Sequence, residues 1–416
     1  MKVFKFGGAS VKDAAGVRNV AAILQNYPNQ ALIVVVSAMG KTTNALEKIL
    51  SLSMNGNSFA SELDALKEYH HKIMRELFSK DHEIWKSAEE VFKTIEGQLK
   101  KKRSADELYD QVVSQGEIIS TLIVHHYIND QGIDAEWVDA REYITTDNTF
   151  REGKVDWKKT RMNMDFIKLK LERNQIVLTQ GFIGRSPDGL TTTLGRDGSD
   201  FTAGIFASIL DAESVTIWKD VPGVMNADPK KVPDAAIVFN ELPFKEAAEM
   251  TYYGASVIHP KTIKPLAVKN IPLYVKNFYE PSAPGTKIYE CKVDKLPPLI
   301  VFKENQCLVS CKVTDYTFVT EDQMSMIFNI LSELNIRINV MQNSAISFSF
   351  CVDFREDKLG QLIRKLHDHF EVFYNTGLTL ITVKNYDEST FNKYRTMPGV
   401  LLEQSSRSTL QVLVKK

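Results

Sequence analysis

The sequence has little cysteine, almost no net charge and no long apolar run. Its four cysteines, Cys291, Cys307, Cys311 and Cys351, form no Cys-x-x-Cys pair and have no histidine spacing typical of zinc. We therefore expect reduced thiols and no protein-bound metal. The formal net charge of −1 provides no field that would attract nucleic acid or an anionic membrane. Because no stretch reaches the about 18–20 apolar residues that span a bilayer, and the N-terminus lacks the apolar core of a signal peptide, we expect a cytoplasmic protein.

The first part of the chain alternates short apolar runs with longer helical stretches. Continuous β-branched runs are typical of parallel strands that are covered on both faces. Strands that alternate with helices favour an open α/β sheet with helices on both faces. The predicted strands are Lys2–Phe6, Ala31–Val36, Gln175–Thr179 and Ser214–Trp218, and the predicted helices are Asp13–Asn26 and several between Thr43 and His125.

Glycines and polar residues follow each predicted strand. They form the segments Gly7-Gly8, Ser37 to Gly40, Gly181 to Gly184 and Lys219 to Gly223. In open α/β sheets, ligands bind outside the carboxyl ends of the strands. The sequence therefore predicts a ligand site where these four segments meet.

The composition changes at a proline-rich segment, Pro281 to Pro298, which predicts a linker. Beyond it, the order β-α-β-β-α-β fits a small ferredoxin-like unit. The same order begins again near Leu378, and the chain ends before completing it. We therefore predict domains at residues 1–290, 299–376 and 377–416. The predicted elements are the strands Cys307–Val313, Arg337–Met341, Ile346–Val352 and Phe370–Tyr374, the helices Gln323–Leu334 and Lys358–His367, and, in the last unit, strands Leu378–Val383, Val400–Glu403 and Thr409–Val414 around a helix Glu388–Tyr394.

Two glycine-containing segments invite a phosphate-binding interpretation. Lys5 to Ser10 is a strand followed by a glycine pair, whose backbone N–H groups can approach phosphate oxygens. An ordinary strand-to-helix turn explains the same residues. Gly40-Lys41-Thr42 resembles a P-loop, but that motif needs a glycine where Val35 stands. We therefore reject the P-loop.

Four further segments have both a functional and a structural interpretation. Gly195 to Asp200 combines flexible backbone, an arginine suited to a carboxylate, a hydroxyl and an acid; a polar helix cap is the alternative. Gln115 to Glu117 precedes an apolar helix, which predicts a loop glycine and a first-turn glutamate, or a site residue. Asp220 to Gly223 and Asp228 to Lys230 read as turns or as a ligand loop.

These motifs together resemble one family, the aspartate kinases within the amino-acid kinase family. The resemblance covers nearly the whole chain, in order. Its segments are Lys5–Ser10, Val36–Asn44, Gly116-Glu117, Gly181-Phe182, Gly195–Asp200, Asp220–Pro229 and Tyr253–Pro260. It implies an amino-acid-kinase fold, an open and mainly parallel sheet, followed by C-terminal ACT units, which are ferredoxin-like regulatory modules.

The resemblance also implies an activity and a set of site residues. The implied reaction is phosphorylation of the side-chain carboxylate of L-aspartate by ATP with Mg²⁺. The implied catalytic residues are Lys5, Asp200 and Arg196, of which Arg196 would clamp a substrate carboxylate. The implied ATP-binding residues are Lys5, Gly7, Gly8, Ser10, Asp220 and Lys230. The implied aspartate-binding residues are Ser37, Thr43, Glu117, Phe182, Arg196 and Ser199, with Glu117 at the α-ammonium group.

The chain departs from the family pattern at several positions. Asp197 replaces a glycine, Lys219 a threonine, Met225 a tyrosine and Ser256 a nucleotide-binding lysine. In the C-terminal part, the resemblance implies regulation by lysine or threonine, with contacts at Met324, Asn339 and Ser344. Paired ACT units imply a homodimer or a larger homo-oligomer.

Other functions remain open at this point. Acetylglutamate kinase and glutamate 5-kinase are related carboxylate kinases, but they lack the ACT pair. A non-catalytic amino-acid sensor is the alternative from another class, although a sensor would not need Lys5. We expect no fused homoserine dehydrogenase, because the chain stops at Lys416.

Overall fold

The computed structural model describes residues 1–171, 176–255, 258–293, 295–314 and 317–415. They form two compact units. The first comprises Met1–Val224, Val238–Ala248 and Ile258–Lys292, and the second comprises Met225–Ile237, Glu249–Val257 and Val293–Lys416. We call them the N-terminal unit and the C-terminal unit. The predicted domain boundaries remain proposals.

An eight-stranded sheet forms the centre of the N-terminal unit. Its order is β3-β4-β2-β1-β7-β9-β10-β8, and every neighbouring pair is parallel except β9 with β10. The mainly parallel sheet expected from the sequence is therefore confirmed. The strands are β1 (Lys2–Phe6), β2 (Leu32–Val36), β3 (Ala135–Val138), β4 (Ile176–Gln180), β7 (Ser214–Lys219), β8 (Glu241–Pro243), β9 (Leu273–Asn277) and β10 (Thr286–Tyr289), with a separate hairpin of β5 (Ile183–Arg185) and β6 (Thr191–Thr193).

Nine helices and the first half of a tenth accompany these strands in the N-terminal unit, and the second half of the tenth, from Glu249, belongs to the C-terminal unit. They are α1 (Ala14–Gln25), α2 (Thr42–Met54), α3 (Ala60–Leu77), α4 (Ile84–Leu99), α5 (Ala105–Asp130), α6 (Ala140–Tyr143), α7 (Trp157–Leu171), α8 (Gly198–Ile209), α9 (Phe244–Tyr253) and α10 (Pro260–Val268) among the described residues. The helix predicted after the first strand is confirmed, and Asp13 caps it by accepting the N–H of Gly16 at 2.8 Å.

Strand alternation assigns the residues of β1 to two different faces of the sheet. Phe4 and Phe6 belong to a core that also contains Val17 of α1 and Ile119 of α5. Lys5 lies between them in sequence and therefore points to the opposite face. Helix α8 packs against β1, β2 and β7 on that second face. The Lys5 side chain therefore faces α8.

The predicted loop at Gln115-Gly116-Glu117 is wrong, because these residues lie in the middle of α5. The glycine serves close packing instead of a turn. A Cβ atom at Gly116 would come within 2.9 Å of the Thr42 side chain and within 3.3 Å of Ala38 Cβ. The absence of a side chain thus lets α5 approach the segment after β2, and it brings Glu117 to the carboxyl edge of the sheet.

The C-terminal unit contains a six-stranded antiparallel sheet of order β12-β13-β11-β14-β16-β15. Its elements are β11 (Leu299–Lys312), α11 (Glu321–Glu333), β12 (Ile338–Asn343), β13 (Ser347–Asp353), α12 (Glu356–His367), β14 (Glu371–Lys384), α13 (Glu388–Arg395), β15 (Val400–Ser405) and β16 (Thr409–Lys415). This order of strands and helices agrees with the predicted ferredoxin-like pattern.

Two long strands join the two predicted ferredoxin-like units. The strands expected at Phe370–Tyr374 and Leu378–Val383 are one continuous strand, β14, and it pairs with β11 from Leu299 to Lys312. The second half of β11 also pairs with β13, and the second half of β14 with β16. The first half of β11 therefore occupies the place beside β14 that a fourth strand of the second ferredoxin-like unit would take.

The segment Met225–Ile237 packs within the C-terminal unit, far from its position in the sequence. Ala227 and Val232 are buried in one core with Ile381, Val383 and Tyr394. Ala227 also forms a β-bridge with Ile300. The segment therefore shares the core that α13 forms with the sheet. Within the described part of the chain, the structure contains no helix of the length and apolarity needed to cross a membrane.

Candidate active site

The segments after β1 and β2 are held together at the carboxyl edge of the sheet. The N–H of Ser37 donates to Phe6 O at 3.1 Å, and the N–H of Gly40 donates to Gly8 O at 3.0 Å. A Cβ atom at Gly8 would lie 2.5 Å from Ala38 O, so no other residue fits there without displacement. The glycine pair thus allows two loops to touch, in addition to leaving its own backbone accessible.

A buried ion pair connects β1 with α8. Lys5 Nζ lies 2.6 Å from Asp200 Oδ1, and both side chains are about nine-tenths buried. A Cβ atom at Gly7 would lie 3.4 Å from the same Nζ, so the ammonium group sits beside the glycine turn formed by Gly7 to Ser10. Asp200 occupies the first turn of α8. The structure therefore brings together Lys5, the glycine turn and Asp200, three features that the family resemblance implies for the site.

Glu117 is the second buried acid of this edge. Its carboxylate accepts a hydrogen bond from the Ala38 N–H, and the Lys5 charge acts on it. Its Oε2 atom has no hydrogen-bond partner among the described residues. Burial raises the pKa of Glu117 to about 8, although the charge of Lys5 and the Ala38 N–H both oppose that rise. An unpartnered buried carboxylate oxygen is a binding point for a cationic ligand group.

Three other predicted substrate residues surround the same edge. Ser37 is half-buried, and its carbonyl accepts the Ser120 hydroxyl at 2.6 Å, which ties this segment to α5. Thr43 is half-buried in the first turn of α2. Ser199 is buried at the start of α8, so close to Gly181 that a Cβ atom there would overlap its side chain.

Phe182 follows Gly181 with a left-handed backbone, at φ 71°. The Thr202 hydroxyl accepts its N–H at 3.0 Å, which fixes this unusual conformation against α8. The predicted substrate residues lie after β2, after β4 and at the start of α8. Contacts with α5 and α8 therefore hold these three segments together.

Arg196 is placed differently from the buried residues. Its side chain is 81% exposed, and its Nε lies 3.8 Å from Asp197 Oδ2. Asp197 is the N-cap residue of α8, with a left-handed φ of 54°, a conformation that glycine adopts without strain and aspartate tolerates. The departure from the family glycine is thus compatible with the local backbone. Arg196 lies on the exposed rim, four residues before the buried Asp200.

The predicted nucleotide residues lie in both units. Asp220 is exposed directly after β7, in the N-terminal unit. Lys230 is exposed in the C-terminal unit, and its N–H donates to Asp228 Oδ1 at 2.9 Å. The departure at Ser256 lies outside the described residues. Among the described residues, no group of three histidine, cysteine or acidic side chains could hold a metal ion.

Two neighbouring residues of α3 support the loops of the site, and the sequence analysis missed both. Tyr69 donates its hydroxyl hydrogen to Lys12 O at 2.6 Å, after the glycine turn. His70 is fully buried, with Nε2 3.3 Å from Thr42 Oγ1 and Nδ1 2.9 Å from Leu66 O. Burial lowers the pKa of His70 to about 4, so the ring is neutral at pH 7. Nothing in the sequence distinguishes this pair from other polar residues of a long helix.

The predicted regulatory residues all lie in the C-terminal unit. Met324 of α11 packs against its core. Asn339 lies at a register shift between β12 and β13, where its amide accepts from Lys303 and donates to Gln306 and Asp353. Ser344 is exposed in the turn before β13, and its hydroxyl oxygen accepts the Ser347 N–H at 3.1 Å. The three residues therefore occupy one half of this unit's sheet and its first helix.

Comparisons with known proteins agree with this geometry. The profile of the amino acid kinase family matches residues 1–277. Aspartokinase 1 of the Arabidopsis thaliana chloroplast is 33% identical over 376 residues, which are 88% of this chain and 66% of that protein. Lysine-sensitive aspartokinase 3 of Escherichia coli is 33% identical over 358 residues, which are 84% of this chain and 78% of that protein.

A solved structure gives the same result for the fold. The crystal structure of E. coli aspartokinase III in complex with aspartate and ADP matches with a TM-score of 0.83 and 30% identity, covering all of this chain and 96% of that one. The chain thus spans slightly less than two thirds of the plant relative and nearly all of the bacterial structure. The resemblance that the motifs indicated is confirmed, and this chain belongs to the amino acid kinase family and, within it, to the aspartokinases.

Proposed function

We propose that this protein is an aspartate kinase that transfers the γ-phosphoryl group of ATP to the side-chain carboxylate of L-aspartate. The observation that carries the proposal is the buried group of Lys5, Asp200 and Glu117 beside the glycine turn. It offers a cation for phosphate oxygens and an unpartnered carboxylate oxygen for an ammonium group. The E. coli relative whose structure contains aspartate and ADP supports the same pair of ligands.

The chemistry requires positioning more than acid–base catalysis. A carboxylate oxygen of aspartate attacks the γ-phosphorus, the bond to the β,γ-bridging oxygen breaks, and ADP leaves with that electron pair. The side-chain carboxyl of aspartate, with a pKa of about 3.9, is already ionised at pH 7, so no proton has to be removed. What remains is to align two anions and to neutralise charge on the transferring group.

Each site residue then has a proposed role. Lys5 with the amides of the glycine turn would hold the phosphates, and Asp200 would position the lysine. Glu117 would bind the α-ammonium group of aspartate, with Ser37, Thr43, Phe182 and Ser199 lining the substrate. Arg196 would turn inward from the exposed rim to a substrate carboxylate. Asp220 and Lys230 would contact the nucleotide.

Mg²⁺ fits this site as part of the nucleotide complex. The described residues offer no prebuilt carboxylate cage, and Mg²⁺ in nucleotide sites keeps several waters and binds mainly to phosphate oxygens. When bound, it would neutralise phosphate charge.

We also propose lysine as the effector, because the E. coli relative is named lysine-sensitive. Met324, Asn339 and Ser344 are the proposed contacts, and a homodimer is the proposed assembly.

An ADP-release assay with hydroxylamine present tests the activity. L-aspartate should support turnover and give an acyl hydroxamate, whereas L-glutamate and N-acetylglutamate should not. Glu117→Gln should lose most of this activity, and Glu90→Gln, an exposed residue of α4, should retain it. Turnover with none of the three acids, despite ATP binding, would favour the non-catalytic sensor. Lysine added to the active enzyme should inhibit it, and threonine should not.

A further inference from the structure

Lys219 lies one strand away from Lys5 and points to the same face of the sheet. It is the last residue of β7, directly after Trp218, which pairs with Phe6 of β1. The rings of Phe6 and Trp218 stack with centroids 6.1 Å apart, on the face opposite Lys5. Because side chains alternate along a strand, Lys219 shares the face of Lys5 and of α8. Ile217 is the residue of β7 that pairs with Lys5, and Lys219 lies about 7 Å further toward the carboxyl edge of the sheet than Ile217.

The charges around Lys219 are those of the candidate active site. Burial lowers the pKa of Lys219, the carboxylate of Asp200 raises it, and the charge of Lys5 lowers it. Asp197 and Asp220 also act on it, and both of these are exposed to solvent. Asp200, which already contacts Lys5 at 2.6 Å, is therefore flanked by two lysines from neighbouring strands.

The balance of charge explains what a second lysine provides. Lys5 and Asp200 form an ion pair, so together they carry almost no net charge. Glu117 adds little negative charge at pH 7, because burial raises its pKa to about 8. Lys219, half-buried at the end of β7, adds a second ammonium group on the same face as this pair. In a partly desolvated cleft such a charge acts strongly on phosphate oxygens.

We propose that Lys219 is a second phosphate-binding cation of this site, contacting the β- and γ-phosphate oxygens of the nucleotide opposite Lys5. Asp200 then positions both ammonium groups, one on either side of the transferring phosphoryl group. This inference rests on the proposed kinase function and extends it. It assigns to β7 a catalytic residue where the family pattern has a neutral threonine.

Variants of Lys219 test the inference against a matched lysine of the same edge. Lys219→Met and Lys219→Gln remove the charge, and Lys219→Arg retains it. Lys276→Met is the control, because Lys276 pairs with Trp218 in register and its ammonium lies over that ring, 5.5 Å from the centroid, on the other face. Circular dichroism selects the folded variants, and calorimetry measures the binding of ADP and of AMP without turnover.

The neutral variants should bind ADP roughly 10- to 100-fold more weakly, while AMP affinity changes less than about threefold, because the lost contact is to the β-phosphate. Their kcat should fall by about 100-fold or more, with the KM for aspartate nearly unchanged. Lys219→Arg should restore most of the ADP affinity, and Lys276→Met should behave as the wild type.

The inference is overturned if both neutral variants bind ADP and turn over within about threefold of the wild type. Failure of the proposed kinase function would look different. In that case the wild type would phosphorylate no amino acid, yet the comparison of ADP with AMP would still report whether Lys219 binds a phosphate. A weakening of ADP and AMP by the same factor would also refute the role, since it would indicate a general structural effect.

Discussion

Binding of aspartate should release a proton from Glu117, so its affinity should rise with pH. Burial raises the pKa of this carboxyl from 4.5 to about 8, which corresponds to roughly 5 kcal/mol against the ionised form. At pH 7 only about one molecule in ten would carry the carboxylate that an ammonium group requires. The apparent dissociation constant is the intrinsic one divided by this fraction, so the affinity should increase about eightfold from pH 6.5 to pH 7.5.

Titration calorimetry of the nucleotide-free protein with L-aspartate measures this directly. Near pH 6.5, experiments in buffers of different ionisation enthalpy should show release of almost one proton per aspartate bound. Glu117→Gln should bind weakly at every pH and release no proton. An affinity of the wild type that stays constant from pH 6 to pH 8.5 would refute the reasoning. So would an unchanged pH dependence in Glu117→Gln.

Three further substitutions follow from the same region. Asp200→Asn should lower the free energy of unfolding by about 3 kcal/mol in urea denaturation, because it leaves a buried lysine charge uncompensated. The control is Asp211→Asn, which breaks the exposed ion pair with Lys269 and should lower it by less than about 1 kcal/mol. The pKa of His70 is lowered to about 4, so its contribution to stability is complete above pH 6.5 and falls by roughly 3 kcal/mol toward pH 4; His70→Gln should remove that loss in urea denaturation at pH 7 and pH 4.5. Gly8→Ala should cost about 1–3 kcal/mol, because its Cβ would meet Ala38 O at 2.5 Å, and it should reduce kcat in the ADP-release assay; unchanged stability and turnover would show that the loops can separate freely.

The sequence was informative where one physical pattern decides the structure. A continuous apolar, β-branched run predicted β2, and short apolar segments that end at glycines or turn residues predicted β1 and β7, together with the edge at which their ends meet. The family resemblance implied both Lys5 and Asp200 as catalytic residues, and the structure places their side chains 2.6 Å apart. The resemblance also singled out Glu117, whose burial no periodicity could reveal.

The wrong predictions share a cause, because distant parts of the chain decide the outcome. Gly116 looks like a loop residue until α5 is packed against the segment after β2. The proline-rich segment taken as a linker contains β10, which its neighbours β8 and β9 stabilise. The merging of two expected strands into β14 likewise depends on its pairing with β11, which is far away in sequence.

The path of residues 225–237 has a practical consequence for anyone who wishes to study the kinase half in isolation. Cleavage at the proline-rich segment would not separate two self-sufficient halves, because Ala227 and Val232 would lose the apolar side chains that bury them. The excised fragment would expose an apolar surface at Ala227 and Val232, and we expect it to aggregate. A soluble fragment would need polar residues in place of these apolar ones, and such changes would alter the loop that carries Lys230.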